Sequence, residues 1–190
     1  MANKLVAVVG MCGSGKSIAC DLFQEKGWHY IRFGQITIDE LKKAGQEITP
    51  ENEKKMREGL RRDHGMAAFA ILSLPKIHSA LEQGPVIIDG LYSWSEYKIL
   101  RESFGDRLQI LCVYAPPALR YQRLTERFFS SDDAATRMRP LTAGQARARD
   151  YAEIENIEKG GPIAMADYTV INTGGVDDLK QQILALIGQI

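Results

Sequence analysis

The sequence predicts an α/β fold: a parallel sheet covered by helices on both faces. Short apolar runs alternate with helix-length segments along the chain, the pattern of βαβ crossovers. The first run, residues 4–9 (KLVAVV), is apolar at almost every position rather than at every second one, as expected of a strand buried on both faces. Glycine and proline punctuate the boundaries between runs.

The elements follow in order. Helix signals cover 16–26, and Gly27 stops them. Residues 29–33 (HYIRF) are a second strand, closed by Gly34. A short helix over 37–44 has Gly45 behind it. Thr49 is the N-cap of a longer helix, with Pro50 at its first position and Glu51 and Glu53 in its first turn. This pattern runs to 83, and Pro75 is expected to divide it. Strands at 85–89 (PVIID), 108–114 (LQILCVY) and 168–171 (YTVI) alternate with helices over 92–103, 117–127 and 176–190. The closing helix places Leu179, Ile183, Leu186 and Ile187 on one face. Residues 128–150 are polar, poor in large aliphatics and arginine-rich, and read as a flap of about that length.

A chain of 190 residues suits a single domain spanning 1–190. A net charge of zero supplies no global field for nucleic acid or membrane, so any anion must be held by local basic groups. No apolar stretch is long enough to span a bilayer, and the N-terminus lacks the pattern of a signal peptide. Cys12, Cys20 and Cys112 have no metal-type spacing. A sparse, odd count fits a reducing cytoplasm.

The most informative stretch is Gly10-Met-Cys-Gly-Ser-Gly-Lys-Ser17, which fits G-x-x-x-x-G-K-[ST] between a strand and a helix. Gly10, Gly13 and Gly15 let backbone N–H groups converge on one concavity, with Ser14 between them. The helix N-terminus at Ser17 and Ile18 adds positive potential. Lys16 reaches the outer phosphates and Ser17 ligates Mg²⁺, so the expected cofactors are ATP and Mg²⁺. Cys12 within the loop reads as a small filler residue or as a redox group.

What happens to the triphosphate is read from the remaining motifs. No N-K-x-D guanine motif is present. The strand ending Val86-Ile-Ile-Asp89 is followed by Gly90, so Asp89 can orient Mg²⁺ or its waters but has no adjacent carboxylate to activate water. That favours transfer to an acceptor. Arg123 and Arg127 lie four apart on one helix, and the flap adds Arg137, Arg139, Arg147 and Arg149. Read functionally, they form a lid that neutralises a moving phosphoryl group and excludes water. Read structurally, they are a solvated loop pairing with Asp132, Asp133 and Asp150.

With these motifs, the chain resembles the P-loop small-molecule kinases related to nucleoside monophosphate kinases and dephospho-CoA kinase. It is most similar to an adenylate-kinase-like and dephospho-CoA-kinase-like group in archaea and bacteria. The resemblance runs through GMCGSGKS, FGQITIDEL, IIDGLYSWSEYK, APPALRYQRLTER and the segment from RPLTAGQARARD to VINTGG. It implies a P-loop NTPase three-layer fold with a five-stranded parallel sheet of order 2-3-1-4-5, an acceptor-binding helical segment over about 35–83 and a lid over about 128–150. It places Asp89 near Mg²⁺, Arg123 near the adenine and Arg127 near the phosphates. Arg139 and Arg149 map loosely to lid arginines, and Asn172, Thr173 and Gly174 border the adenine.

The acceptor half departs from that pattern. Adenylate kinases carry Arg shortly after the Asp-Gly, where this chain has Leu91-Tyr92-Ser93. They also carry Arg in the helix after the second strand, where this chain has Asp39 and Glu40. Dephospho-CoA kinases place Asp where Phe33-Gly34-Gln35 stands. The candidates left for the acceptor are Gly34, Arg57 and Arg61, which share a helix face, and the Tyr92–Trp94 segment. Tyr92 and Trp94 can stack on a ring or clasp a sugar or pantetheine arm, or can be core and capping residues. Arg57 and Arg61 either hold phosphate or form a solvated face. The acids of Tyr151-Ala-Glu153-Ile-Glu155 either pair with Arg147 and Arg149 or supply a base. The expectation is a kinase of a small-molecule phosphate acceptor, monomeric or homodimeric, without membrane or nucleic-acid partners. A kinase of a nucleic-acid end and a non-enzymatic nucleotide switch are the rival readings.

Overall fold

The computed structural model describes residues 3–126 and 141–190. Five strands, β1 (Leu5–Val9), β2 (His29–Arg32), β3 (Val86–Asp89), β4 (Leu108–Tyr114) and β5 (Tyr168–Ile171), form one sheet. Its order is β2-β3-β1-β4-β5, with every pairing parallel. This is the predicted order, and the strand limits agree with the sequence reading to within one residue.

The nine α-helices among the described residues are α1 (Lys16–Glu25), α2 (Gln35–Lys43), α3 (Pro50–His64), α4 (Ala68–Gln83), α5 (Trp94–Phe104), α6 (Pro117–Thr125), α7 (Ala143–Glu155), α8 (Gly160–Ala164) and α9 (Val176–Ile187). They cover both faces of the sheet. On one face Leu5, Ala7, Val9, Ile88 and Ile110 pack with Phe69 and Ile77 of α4 and Leu100 of α5. On the other, Val6, Val8, Ile87, Leu111 and Val113 pack with Phe23 of α1 and Ile183 of α9. Adjacent residues of β1 thus feed opposite cores, which is why its sequence shows no alternation.

Three expectations are corrected. Pro75 lies inside α4 rather than dividing it; the break falls earlier, where Gly65 ends α3 with φ 77°. The fifth helix starts at Trp94 rather than residue 92, because Ser93 caps it and accepts from the Glu96 amide while Glu96 accepts from the Ser93 amide. The flap expected over 128–150 does not extend to its C-terminal end: residues from Ala143 onward belong to α7, capped by Thr142 and Gln145, so Arg147 and Arg149 stand on a regular helix. Flap residues 128–140, with Arg137 and Arg139, lie outside the described residues, as does Arg127 before them. No helix among the described residues is long and apolar enough to cross a membrane.

Glu96 adds a titratable element to this frame. It is fully buried. One carboxylate oxygen accepts from the Tyr92 and Ser93 amides, and the other has no partner among the described residues. Burial pushes its pKa up to about 7 against these hydrogen bonds. The folded protein therefore holds a proton that the unfolded chain has already lost, and stability falls as pH rises from about 4.5 to about 7. The expected loss attributable to this group is on the order of 3 kcal/mol. Urea unfolding across this window checks it, and Glu96→Gln should flatten that part of the profile.

Candidate functional site

The loop of residues 10–15 leaves β1 at its C-terminal end, between β3 and β4, and turns into α1. Two glycines are fixed by close approach. A side chain at Gly10 (φ 140°) would collide with the Val113 carbonyl, and one at Gly15 (φ 106°) would stand 2.5 Å from Asn172 Nδ2. The amides of Gly13, Gly15, Lys16 and Ser17 donate to no acceptor among the described residues. The buried Ser14 hydroxyl is also without a partner there. A row of unused N–H donors at a helix N-terminus is the chemistry a polyphosphate requires.

Lys16 Nζ donates to Met11 O at 3.0 Å across the mouth of the loop. Desolvation, then the charge of Lys159, lower its pKa to about 8, while Asp89 works in the opposite direction. Asp89 ends β3, in register with Val8 of β1 and Arg32 of β2, and accepts from Tyr30 Oη at 2.9 Å. No cluster of three or more His, Cys, Asp or Glu residues suited to a metal occurs among the described residues. Mg²⁺ habitually takes one or two protein oxygens together with phosphate oxygens and waters, and Ser17 with Asp89 fits that habit.

One flank of the loop is assembled from distant segments. Arg123 of α6 donates to Asn172 O at 3.0 Å, Asn172 Oδ1 at 3.2 Å and Gly174 O at 3.3 Å. Asn172 Nδ2 donates to Ser14 O at 2.8 Å, so one side chain joins the turn after β5 to the loop. Arg123, Asn172 and Gly174, singled out separately in the sequence, are therefore one wall.

The most buried ion pair was not anticipated. Arg120 of α6 makes a two-pronged contact with Asp150 of α7, at 2.9 and 2.6 Å, with both side chains about 5% exposed or less. The same guanidinium donates to Cys12 O at 3.0 Å and Ala115 O at 3.0 Å, so it braces the loop from behind. Asp150 thus does not serve as a flap counter-ion. A usable signal was present: Arg120 sits in the first turn of the helix that leaves the sheet beside the loop.

The structure separates the residues expected to meet an acceptor. The Tyr92 ring lies beside Gly90, and its hydroxyl approaches Gly34. Burial and Asp89 raise the Tyr92 pKa, so the phenol stays protonated. Trp94 stacks on Tyr97 with ring centroids 4.9 Å apart and packs against Gly161. Arg57 is half-buried beside Glu53. Arg61 turns onto the Phe69 ring, 5.3 Å from its centroid, with its Nε buried and unpaired among the described residues. Arg149 pairs with Glu153 at 2.9 Å, and Glu153 also pairs with Lys159 at 2.6 Å. Burial works against the Glu153 charge, but Lys159 and Arg149 hold its pKa at about 2. Of the two readings of this acidic stretch, Glu153 takes the pairing one, with Lys159 as the unforeseen partner.

Comparison with known proteins places this geometry. A family model described as an AAA domain matches residues 6–139. A UPF0200 protein of Thermococcus gammatolerans is 35% identical over 188 residues, covering 98% of this chain and 95% of that protein. UPF0200 protein TK1334 of Thermococcus kodakarensis is 34% identical over 188 residues, covering 98% and 97%. Among solved structures, shikimate kinase from Acinetobacter baumannii in complex with shikimate matches with TM-score 0.59 and 22% identity, over 98% of this chain and 94% of that one. A gluconokinase from Sinorhizobium meliloti 1021 matches with TM-score 0.56 and 14% identity, over 98% and 93%. At these identities the structural likeness is one of fold. It is a P-loop small-molecule kinase fold, a coarser likeness than the monophosphate-kinase and dephospho-CoA-kinase group expected from the motifs.

Proposed function

The chain belongs to the UPF0200 family and to the AAA-domain P-loop proteins, and from that premise we propose that it is an ATP-dependent phosphotransferase. It moves the γ-phosphoryl group of ATP to a small metabolite, nucleotide-like or CoA-precursor-like in character. The observation that carries this reading is the convergence of unused loop amides, Lys16 and Asp89 at one end of the sheet, with Gly90 rather than a water-activating carboxylate after Asp89.

The residues divide the work. The amides of Gly13, Gly15, Lys16 and Ser17 bind the β-phosphate, Lys16 binds the β- and γ-oxygens, and the Arg123–Asn172–Gly174 wall borders the base. Ser17 and Asp89 would hold Mg²⁺ or its waters, and the ion supplies charge neutralisation on the phosphates. An acceptor oxygen forms a new bond to the γ-phosphorus as the bond to the β–γ bridging oxygen breaks. ADP leaves with that electron pair. Where the acceptor oxygen is a hydroxyl, its proton passes to an oxygen of the transferred phosphoryl group, so the step balances without a separate base. Arg149, with Arg127 and Arg139 from outside the described residues, is assigned to charge neutralisation.

The test is a panel with Mg-ATP: nucleoside and deoxynucleoside monophosphates, dephospho-CoA, pantetheine compounds and nucleosides, alongside small hydroxy acids. The expected result is ADP formation above the acceptor-free rate with one class, together with a product heavier by one phosphoryl group. Tight ATP binding with an acceptor-independent slow hydrolysis throughout would overturn transfer and leave a nucleotide-binding regulator.

A further inference from the structure

Lys159 has no role in the reading above, yet its position is costly. It is among the largest fully buried side chains, at 2% exposure. Taking an ammonium out of water costs several kcal/mol unless it is paired. Its pairing is incomplete as a charge balance: Glu153, 2.6 Å away, is shared with Arg149, so two cations face one carboxylate. The ammonium also lies over the Tyr92 ring, 5.1 Å from its centroid, which favours a cation without neutralising it.

The direction of this surplus charge matters. Lys159 exerts the largest charge effect on Lys16, ahead of Asp89 and Cys12, so the two ammonium groups share one region. Arg57 of α3 lies within electrostatic reach of both Arg149 and Tyr92. Tyr92 in turn borders Gly34 and Gly90, at the ends of β2 and β3. The cluster therefore lies on the acceptor side of the loop. An ion pair needed only to fasten α7 to α8 would require one cation, and would gain nothing from standing beside the phosphate-binding lysine.

We propose that Lys159 and Arg149, clasped by Glu153 over the Tyr92 ring, form an oxyanion site for an acidic group of the acceptor, so that the molecule phosphorylated is itself an anion bearing a phosphate or a carboxylate. This rests on the phosphotransfer reading, and it supplies the acceptor charge contacts missing at residues 39–40 and 91–93. Glu153 keeps the cations apart and partly neutralised until the acceptor's anion arrives.

The experiment is calorimetric titration of the full chain, saturated with Mg²⁺ and a non-hydrolysable ATP analogue so that the loop is filled. The probes are inorganic phosphate and malonate. One further anion site is expected. Lys159→Met should weaken it at least tenfold while the affinity for the ATP analogue stays within about threefold. Glu153→Gln removes the competing carboxylate and should strengthen anion binding several-fold. A purely structural staple would lose affinity in both variants or in neither. Should Lys159→Met fail to fold, the sign of the Glu153→Gln effect decides. A phosphate-only response means a phosphate-bearing acceptor, and a malonate-only response a carboxylate-bearing one. No second anion site in a protein that binds the analogue overturns this inference and leaves the phosphotransfer reading standing. Failure to bind the analogue overturns both.

Discussion

Lys16→Ala is expected to lower the acceptor-dependent rate by about three orders of magnitude, the scale on which a single preorganised cation or donor contributes to phosphoryl transfer. The fold should survive, because among the described residues the only hydrogen bond of this ammonium is to Met11 O within its own loop. Desolvation already opposes its charge, so its removal takes away a group that the folded chain holds at some cost. The measurement is ADP release with the acceptor from the panel, together with a thermal unfolding curve. Retained turnover with a native unfolding midpoint would take Lys16 out of the mechanism. Loss of both activity and cooperative unfolding would show that the loop depends on the lysine structurally.

Asp150→Ala should destabilise the protein by about 3–5 kcal/mol, since it strands the Arg120 guanidinium in a site almost without water. Tyr121 loses its acceptor in the same step, because its hydroxyl lies 3.0 Å from Asp150. The effect should extend beyond stability. Arg120 also holds Cys12 O, so a guanidinium that swings toward water releases the back of the phosphate loop. Chemical denaturation gives the first quantity and ATP-analogue titration the second. Replacing the pair together, Arg120→Met with Asp150→Leu, should recover much of the stability but not the support of Cys12 O. A small loss for Asp150→Ala would mean that water reaches Arg120 more readily than its burial indicates.

The sheet was legible because its signals are local. The run LVAVV can be buried only on both faces, and the glycines of the loop follow from backbone geometry at adjacent positions. The strand order needed the resemblance, and the register came only with the structure, since pairing joins residues far apart in sequence. The resemblance names Arg123, Asn172 and Gly174 separately, but the hydrogen bonds that join them are a tertiary fact. Arg120–Asp150 and Lys159–Glu153 escaped detection for one physical reason. A charged side chain in an unexceptional polar stretch reads as solvated, and only its partner from another helix shows that it is buried. The start of α5 lies two residues beyond the expected one, and the break expected at Pro75 falls ten residues earlier at Gly65, because side-chain hydrogen bonds and packing outweigh local propensity there.

The bracing of the phosphate loop also bears on when the protein becomes competent during its own synthesis. The loop leaves the ribosome before the segments that support it. Its support from Arg120 lies 108 residues further on, and that from Asn172 lies 158 residues beyond Ser14. β1 itself pairs with β3 and β4, both downstream, so the nascent strand has no sheet to join while α1 and β2 emerge. Such non-local closure is slow and leaves apolar strands uncovered in the meantime. A fragment broken off before β5 carries the full loop motif but lacks Asn172, and with it the hydrogen bond that joins the loop to the turn after β5.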